Sequence, residues 1–159
     1  LERARRAGIP AIVQDHRGQA REEHDRALVE HLRAHGADLV CLAGYMRLLS
    51  PVLLQEFPGR VLNVHPSLLP AFPGLDAQRL AWEHGVKVSG ATVHLVDEGL
   101  DTGLIILQEA VPVADDDTPR TLATRILQAE HRLYPEAVRR VLSGRLKRDG
   151  RRLVVEGTR

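Results

Sequence analysis

The chain has 159 residues, with 22 lysines and arginines against 21 aspartates and glutamates, a formal net charge of +1 and a single cysteine. That length fits one domain with a continuous core and leaves no room for a second module of ordinary size. The balanced charge gives no case for nucleic acid or for an anionic membrane surface, no apolar run approaches a membrane span, and one cysteine excludes an internal disulfide framework. A small-molecule partner and a reducing, cytoplasmic setting are therefore expected.

Residues 1–7 are helix formers, and Gly8 suits the position just past a helix end. Residues 9–13 are short and apolar, which predicts a strand. From Arg21 to Ala34 the apolar positions Ala27, Leu28 and Leu32 recur at helical spacing, and Gly36 marks the stop. His31 and His35 lie four apart on that helix. This spacing suits a metal, but no Glu or third ligand accompanies the pair, and a solvated face is the reading taken. Residues 39–43 predict a buried strand that carries Cys41 as a structural rather than a reactive thiol. Ser50-Pro51 then gives an N-cap followed by proline at the first helical position.

Residues 60–64 lead as a strand into Asn63-Val64-His65-Pro66-Ser67-Leu68-Leu69-Pro70, followed by Ala71-Phe72-Pro73-Gly74. Pro66 cannot donate to a sheet bond, so the strand stops near His65. Asn63 and His65 are two apart and share one face, which presents an amide and an imidazole together where the strand opens into a loop. Such a pair suits acyl-type transfer, the Asn NH2 donating to a developing oxyanion while the His stabilises or moves a proton. Prolines 66, 70 and 73 stiffen the loop that follows. Residues 76–84 predict a helix capped by Asp76 and stopped by Gly85. Residues 86–96 alternate as a strand, with Thr92 and His94 on one face. The loop Asp97-Glu98-Gly99-Leu100-Asp101-Thr102-Gly103 is acidic, and a further strand is expected from 104 to about 111. Thr118-Pro119 opens a helix running to about Leu142, and Asp149-Gly150 signals a terminal hairpin.

The motif N-x-H-P-S-L-L-P-x-x-P-G, with Asp101-Thr102-Gly103 after an acidic loop, resembles the formyltransferases that use 10-formyltetrahydrofolate, and among them those acting on glycinamide ribonucleotide in purine biosynthesis. The resemblance runs from about Leu1 to about Leu146. It implies a formyltransferase-like Rossmann variant, an α/β fold whose doubly wound sheet is mostly parallel, with antiparallel C-terminal strands. Residues 1–159 then read as a single catalytic domain that lacks the family's first strand, its Gly-Ser-Asn-type phosphate loop and most of the next helix. By the same resemblance Asn63, His65 and Asp101 are catalytic. Arg21, Met46, Arg47, Leu48, Leu49, Asn63, His94 and Asp97 belong to the folate side, and Glu130 to the nucleotide side. The cosubstrate is 10-formyltetrahydrofolate and no metal is required. The alternatives are hydrolysis of the same folate, or a non-catalytic folate-binding fragment. The oligomeric state is left open.

Overall fold

The long helix α5, Pro119–Leu142, presents one apolar stripe, Leu122, Ile126, Ala129, Leu133 and Ala137, at the three-and-four spacing of a single helix face. That stripe packs on Leu62, Ala91, Val93, Ile106 and Val111 of the central sheet and forms the larger core cluster. A second cluster, Val40, Leu53, Phe57 and Val61, is covered by Leu28, Val29 and Leu32. The sheet thus lies between α5 and a pair of helices, α2 (Arg21–Ala34) and α3 (Pro51–Glu56).

The structure is a computed structural model that describes residues 1–156. In chain order it contains α1 (Glu2–Arg6), α2 (Arg21–Ala34), β1 (Val40–Leu42), α3 (Pro51–Glu56), β2 (Val61–His65), α4 (Ala77–Glu83), β3 (Val88–Leu95), β4 (Ile105–Pro112), α5, and the hairpin strands β5 (Leu146–Asp149) and β6 (Arg152–Val155). Strands β1-β2-β3-β4 form one sheet in that order, and β5-β6 form a separate two-stranded sheet.

The chain forms the expected α/β fold. Within the four-stranded sheet only β1 and β2 are parallel, while β2–β3 and β3–β4 are antiparallel, so mostly parallel pairing does not extend past the first pair. The connection accounts for the β3–β4 pair. A parallel return needs a full crossover, whereas residues 96–104 only turn β3 back into β4.

Residues 9–13 differ from the expected strand. They form no strand, and Ile9, Ile12 and Val13 are exposed, because an apolar run becomes a strand only where a ladder partner exists. Cys41 also departs from expectation. It is exposed, since β1 ends the sheet among the described residues and its outward side is uncovered. Asp76 precedes α4 with φ 58° and makes no side-chain cap; its carboxylate pairs with Arg79 at 3.1 Å instead. At α5 the cap is as read, with Thr121 N–H donating to Thr118 Oγ1 at 3.2 Å and proline in the first turn.

One side chain on α5 fixes the strands that carry the site. Tyr134 Oη lies 2.7 Å from the Leu42 carbonyl and 3.1 Å from that of Leu62, bridging the ends of β1 and β2. Burial holds its phenol far above the ordinary range. Tyr134→Phe is expected to cost about 1 kcal/mol, which corresponds to about 2–4 °C in Tm for a chain of this size. A thermal melt checks this, and an unchanged Tm would remove the bridge from the account of stability.

Candidate active site

β2 ends where Pro66 removes the next donor, so Asn63 and His65 emerge from the same face at the mouth of the sheet. The antiparallel register of β3 then sets His94 opposite Asn63 and Thr92 opposite His65. Asn63 Nδ2 lies 3.4 Å from His94 Nε2, while His94 Nδ1 donates to the Leu95 carbonyl at 2.9 Å. Both imidazoles are nearly closed off from solvent, His65 being 4% and His94 2% exposed.

The proline-rich loop after β2 is held from beneath. Thr92 Oγ1 donates to the Ser67 carbonyl at 2.7 Å and accepts from Leu69 N–H at 3.0 Å. Gln108 Nε2 on β4 donates to Leu69 O at 2.9 Å and to Thr92 Oγ1 at 3.0 Å. Every capacity of that buried hydroxyl is used, the condition under which a polar network rigidifies rather than weakens a core. The loop carries Phe72, at φ 52°, so that its carbonyl accepts from His65 Nε2 at 2.7 Å.

Asp101 closes the constellation. Its backbone is left-handed at φ 54°, and its carboxylate enters between the two rings, with Oδ2 at 3.3 Å from His65 Nδ1 and Oδ1 at 3.6 Å from His94 Nε2. Gly74 N–H donates to Oδ2 at 2.7 Å. Burial alone would push this carboxyl up, but the adjacent His94 ring, the hydrogen bond from Gly74 and the charge of His65 outweigh it, so it lies below its ordinary 3.8. Acceptors therefore face both ring nitrogens of His65, an arrangement fully satisfied when both carry a proton. Asp97 braces the same loop, with Oδ1 accepting from Thr102 Oγ1 at 2.6 Å and from Gly99 N–H at 3.1 Å.

The sign of the pH dependence follows from the direction of the shift. A carboxyl lowered on folding stabilises fully above its unfolded pKa of about 3.9, and that contribution is lost as pH falls through the lower folded value. Asp101→Asn keeps the shape and removes the charge. It is expected to lower turnover at neutral pH on the order of a hundredfold and to lessen the loss of stability in acid, with circular dichroism showing an intact fold. Turnover within threefold of wild type would leave Asp101 as a loop brace for Gly74 only.

These groups sit in a cleft of about 520 Å³ lined also by Met46, Arg47, Leu48, Leu49, Asp97 and Glu130. Burial raises the Glu130 carboxyl above its ordinary range. Arg21 stands apart. It is exposed on the first turn of α2 and is not among the lining residues, so of the candidates named from sequence it alone is not brought to the cleft. The structure adds groups that the sequence reading missed: Tyr45 and Leu100 in the lining, the Phe72 carbonyl and the Gly74 N–H. The last two are backbone groups, and their only sequence signal was the density of proline and glycine around them.

Comparison with known proteins bears directly on this cleft. A family model described as formyl transferase matches residues 1–138. The chain is 46% identical to the phosphoribosylglycinamide formyltransferase of Bacillus subtilis, over 89% of this chain and 73% of that protein. It is 50% identical to the trifunctional purine biosynthetic protein adenosine-3 of Drosophila melanogaster over 91% of its own length, and it spans 11% of that much longer protein. Among solved structures it superposes on glycinamide ribonucleotide transformylase 1 of Symbiobacterium toebii with a TM-score of 0.94 at 59% identity, over 97% of this chain and 73% of the other.

Proposed function

Because the chain belongs to the formyl transferase family, we propose that it transfers the formyl group of 10-formyltetrahydrofolate to the primary amine of glycinamide ribonucleotide, as a step of purine biosynthesis in the cytoplasm. The observation that carries this reading is the placement of Asn63, His65, His94 and Asp101 within 3.6 Å of one another in sequence of contact, at the edge of a cleft with apolar and acidic walls.

The amine attacks the formyl carbon, forming the new C–N bond and a tetrahedral oxyanion. Collapse breaks the bond to the folate N10, which takes up a proton as the amine gives one up. Asn63 serves as the oxyanion donor. Its NH2 lies 3.4 Å from His94 Nε2, a contact long enough to be exchanged for a stronger one to developing negative charge. With its Nε2–H on the Phe72 carbonyl, His65 contributes positive charge beside the oxyanion, and Asp101 fixes that ring and balances its charge. Met46, Leu48 and Leu49 offer the apolar side to the folate ring, and Arg47 and Asp97 border it. Glu130, kept less acidic by burial, faces the amine.

Donor consumption measured with and without the ribonucleotide tests the reading. Turnover that depends on the amine is expected. Equal turnover in its absence would make the protein a hydrolase, and binding of the folate with no turnover at all would make it a folate-binding protein.

A further inference from the structure

The cleft wall formed by residues 44–49 is thin. In front lies the cleft of about 520 Å³, and behind lies an apolar cavity of about 970 Å³ that Tyr45, Met46, Arg47 and Leu49 also line. Met46 is 75% and Leu48 50% exposed. Among the described residues, no backbone hydrogen bond joins residues 45–49 to another segment. Dense packing and ladder bonds, the ordinary sources of local rigidity, are both scarce here.

A buried carboxylate fastens the far end of that wall. Asp25 on α2 is 0% exposed, and its Oδ2 accepts the Ser50 N–H at 2.6 Å, where the loop enters α3. Oδ1 lies 3.3 Å from Nδ1 of the neighbouring His24, which is itself buried. The Ser50 side chain makes no cap bond to α3, so the attachment runs through its backbone N–H. Burial raises the Tyr45 phenol and the negative charge of Asp25 raises it further, with Arg47 acting in the opposite sense, so the Asp25 charge is felt along the wall. Tyr45 Oη, Arg47 Nη1 and Ser50 Oγ are buried without a hydrogen-bond partner among the described residues. Desolvating a carboxylate is costly, and a short bond to a charged acceptor is among the stronger single tethers a loop can have.

We infer that Asp25 is a positioning residue for the formyl-donor side of the cleft, holding the wall of residues 44–49 through the Ser50 N–H although it touches no substrate. The inference rests on the proposed transferase function for its substrate, and on geometry alone for the clamp.

Three variants separate the possibilities. Asp25→Ala deletes the acceptor, Asp25→Asn keeps a neutral acceptor, and Ser50→Pro deletes the backbone donor together with a hydroxyl that makes no hydrogen bond among the described residues, at a position whose φ of −80° a proline tolerates. In Asp25→Ala and Ser50→Pro the KM for 10-formyltetrahydrofolate is expected to rise about tenfold, the size of a lost hydrogen bond to a charged group. Over the same variants kcat and the KM for the amine stay within about twofold, and Asp25→Asn recovers most of the donor KM. A purely structural residue would lower Tm and the active fraction without separating the two KM values. Equal rises for both substrates, or a donor KM within about twofold of wild type, overturn the proposal. Should Asp25→Ala fail to fold, Ser50→Pro decides alone. Amide exchange reads the clamp without any reaction. Protection of Ser50 is expected to fall at least about tenfold in Asp25→Ala and to be largely kept in Asp25→Asn, with that of Ile126 on α5 kept in both, and unchanged protection of Ser50 in Asp25→Ala overturns the clamp. A wild-type chain that transfers no formyl group would overturn the proposed function while this exchange result still decided the clamp.

Discussion

Asn63→Ala and His65→Ala are each expected to lose formyl transfer by on the order of a hundredfold or more, with binding of the folate largely intact. The reason is timing. Asn63 has its strongest use when the carbonyl oxygen becomes an oxyanion, and the charge of His65 acts on that same species, so both favour the transition state over the bound ground state. Loss of kcat and of kcat/KM in parallel is the signature of such a group. His65 also holds the Phe72 carbonyl at 2.7 Å, so His65→Ala frees the loop and should raise the donor KM somewhat, whereas Asn63→Ala should leave it alone. Steady-state kinetics on both variants check this. Near-wild-type turnover in either would detach that residue from the reaction.

The second large effect is expected at Gly103, which no chemical argument singles out. A Cβ there would stand 1.6 Å from the Leu95 carbonyl oxygen and 3.3 Å from His94 Nδ1. That oxygen is the acceptor that holds His94 Nδ1 at 2.9 Å, and the Leu95 N–H in turn bonds Leu104 O at 2.9 Å. Gly103→Ala must therefore move either the end of β3 or the return of the acidic loop. Overpacking of a fixed backbone costs about 1–3 kcal/mol and at times more, and backbone on both sides puts this site at the upper end. A fall in Tm of about 6–12 °C is expected, together with at least tenfold slower transfer, since His94 and Asp101 lie on the two segments forced apart. A melt within about 2 °C of wild type would show that the loop yields freely.

How much of this was legible in the sequence depends on the range of the forces involved. Arg21–Ala34 and the start of α5 follow from local signals, an apolar period, a Gly stop and a Thr-Pro cap, and the structure has them at those residues. Asn63 and His65 were legible for a similar reason, since period two and Pro66 together fix face and strand end. Residues 9–13 failed because β structure is a property of pairs of segments, and apolar residues alone do not supply the second one. Cys41 failed because burial at a sheet edge depends on what covers it. Asp101 reached the site only through the pattern shared with a family. Nothing local foretells that a loop with a left-handed Asp will fold back between His65 and His94. The antiparallel register that sets His94 against Asn63, with a bulge between Val93 and His94 on the β4 side, is likewise a long-range result. The tether from Asp25 to Ser50 spans separate elements and ends on a backbone N–H, so sequence carries no mark of it.

The most direct measurement follows a carbon-13 label in the formyl group of 10-formyltetrahydrofolate through one turnover with glycinamide ribonucleotide, using the wild-type chain beside Asn63→Ala. The label is expected in the formamide of the ribonucleotide product, at a rate that Asn63→Ala reduces on the order of a hundredfold. Label released as free formate, or label that reaches the amine equally fast in both proteins, would contradict formyl transfer by the Asn63, His65 and Asp101 site.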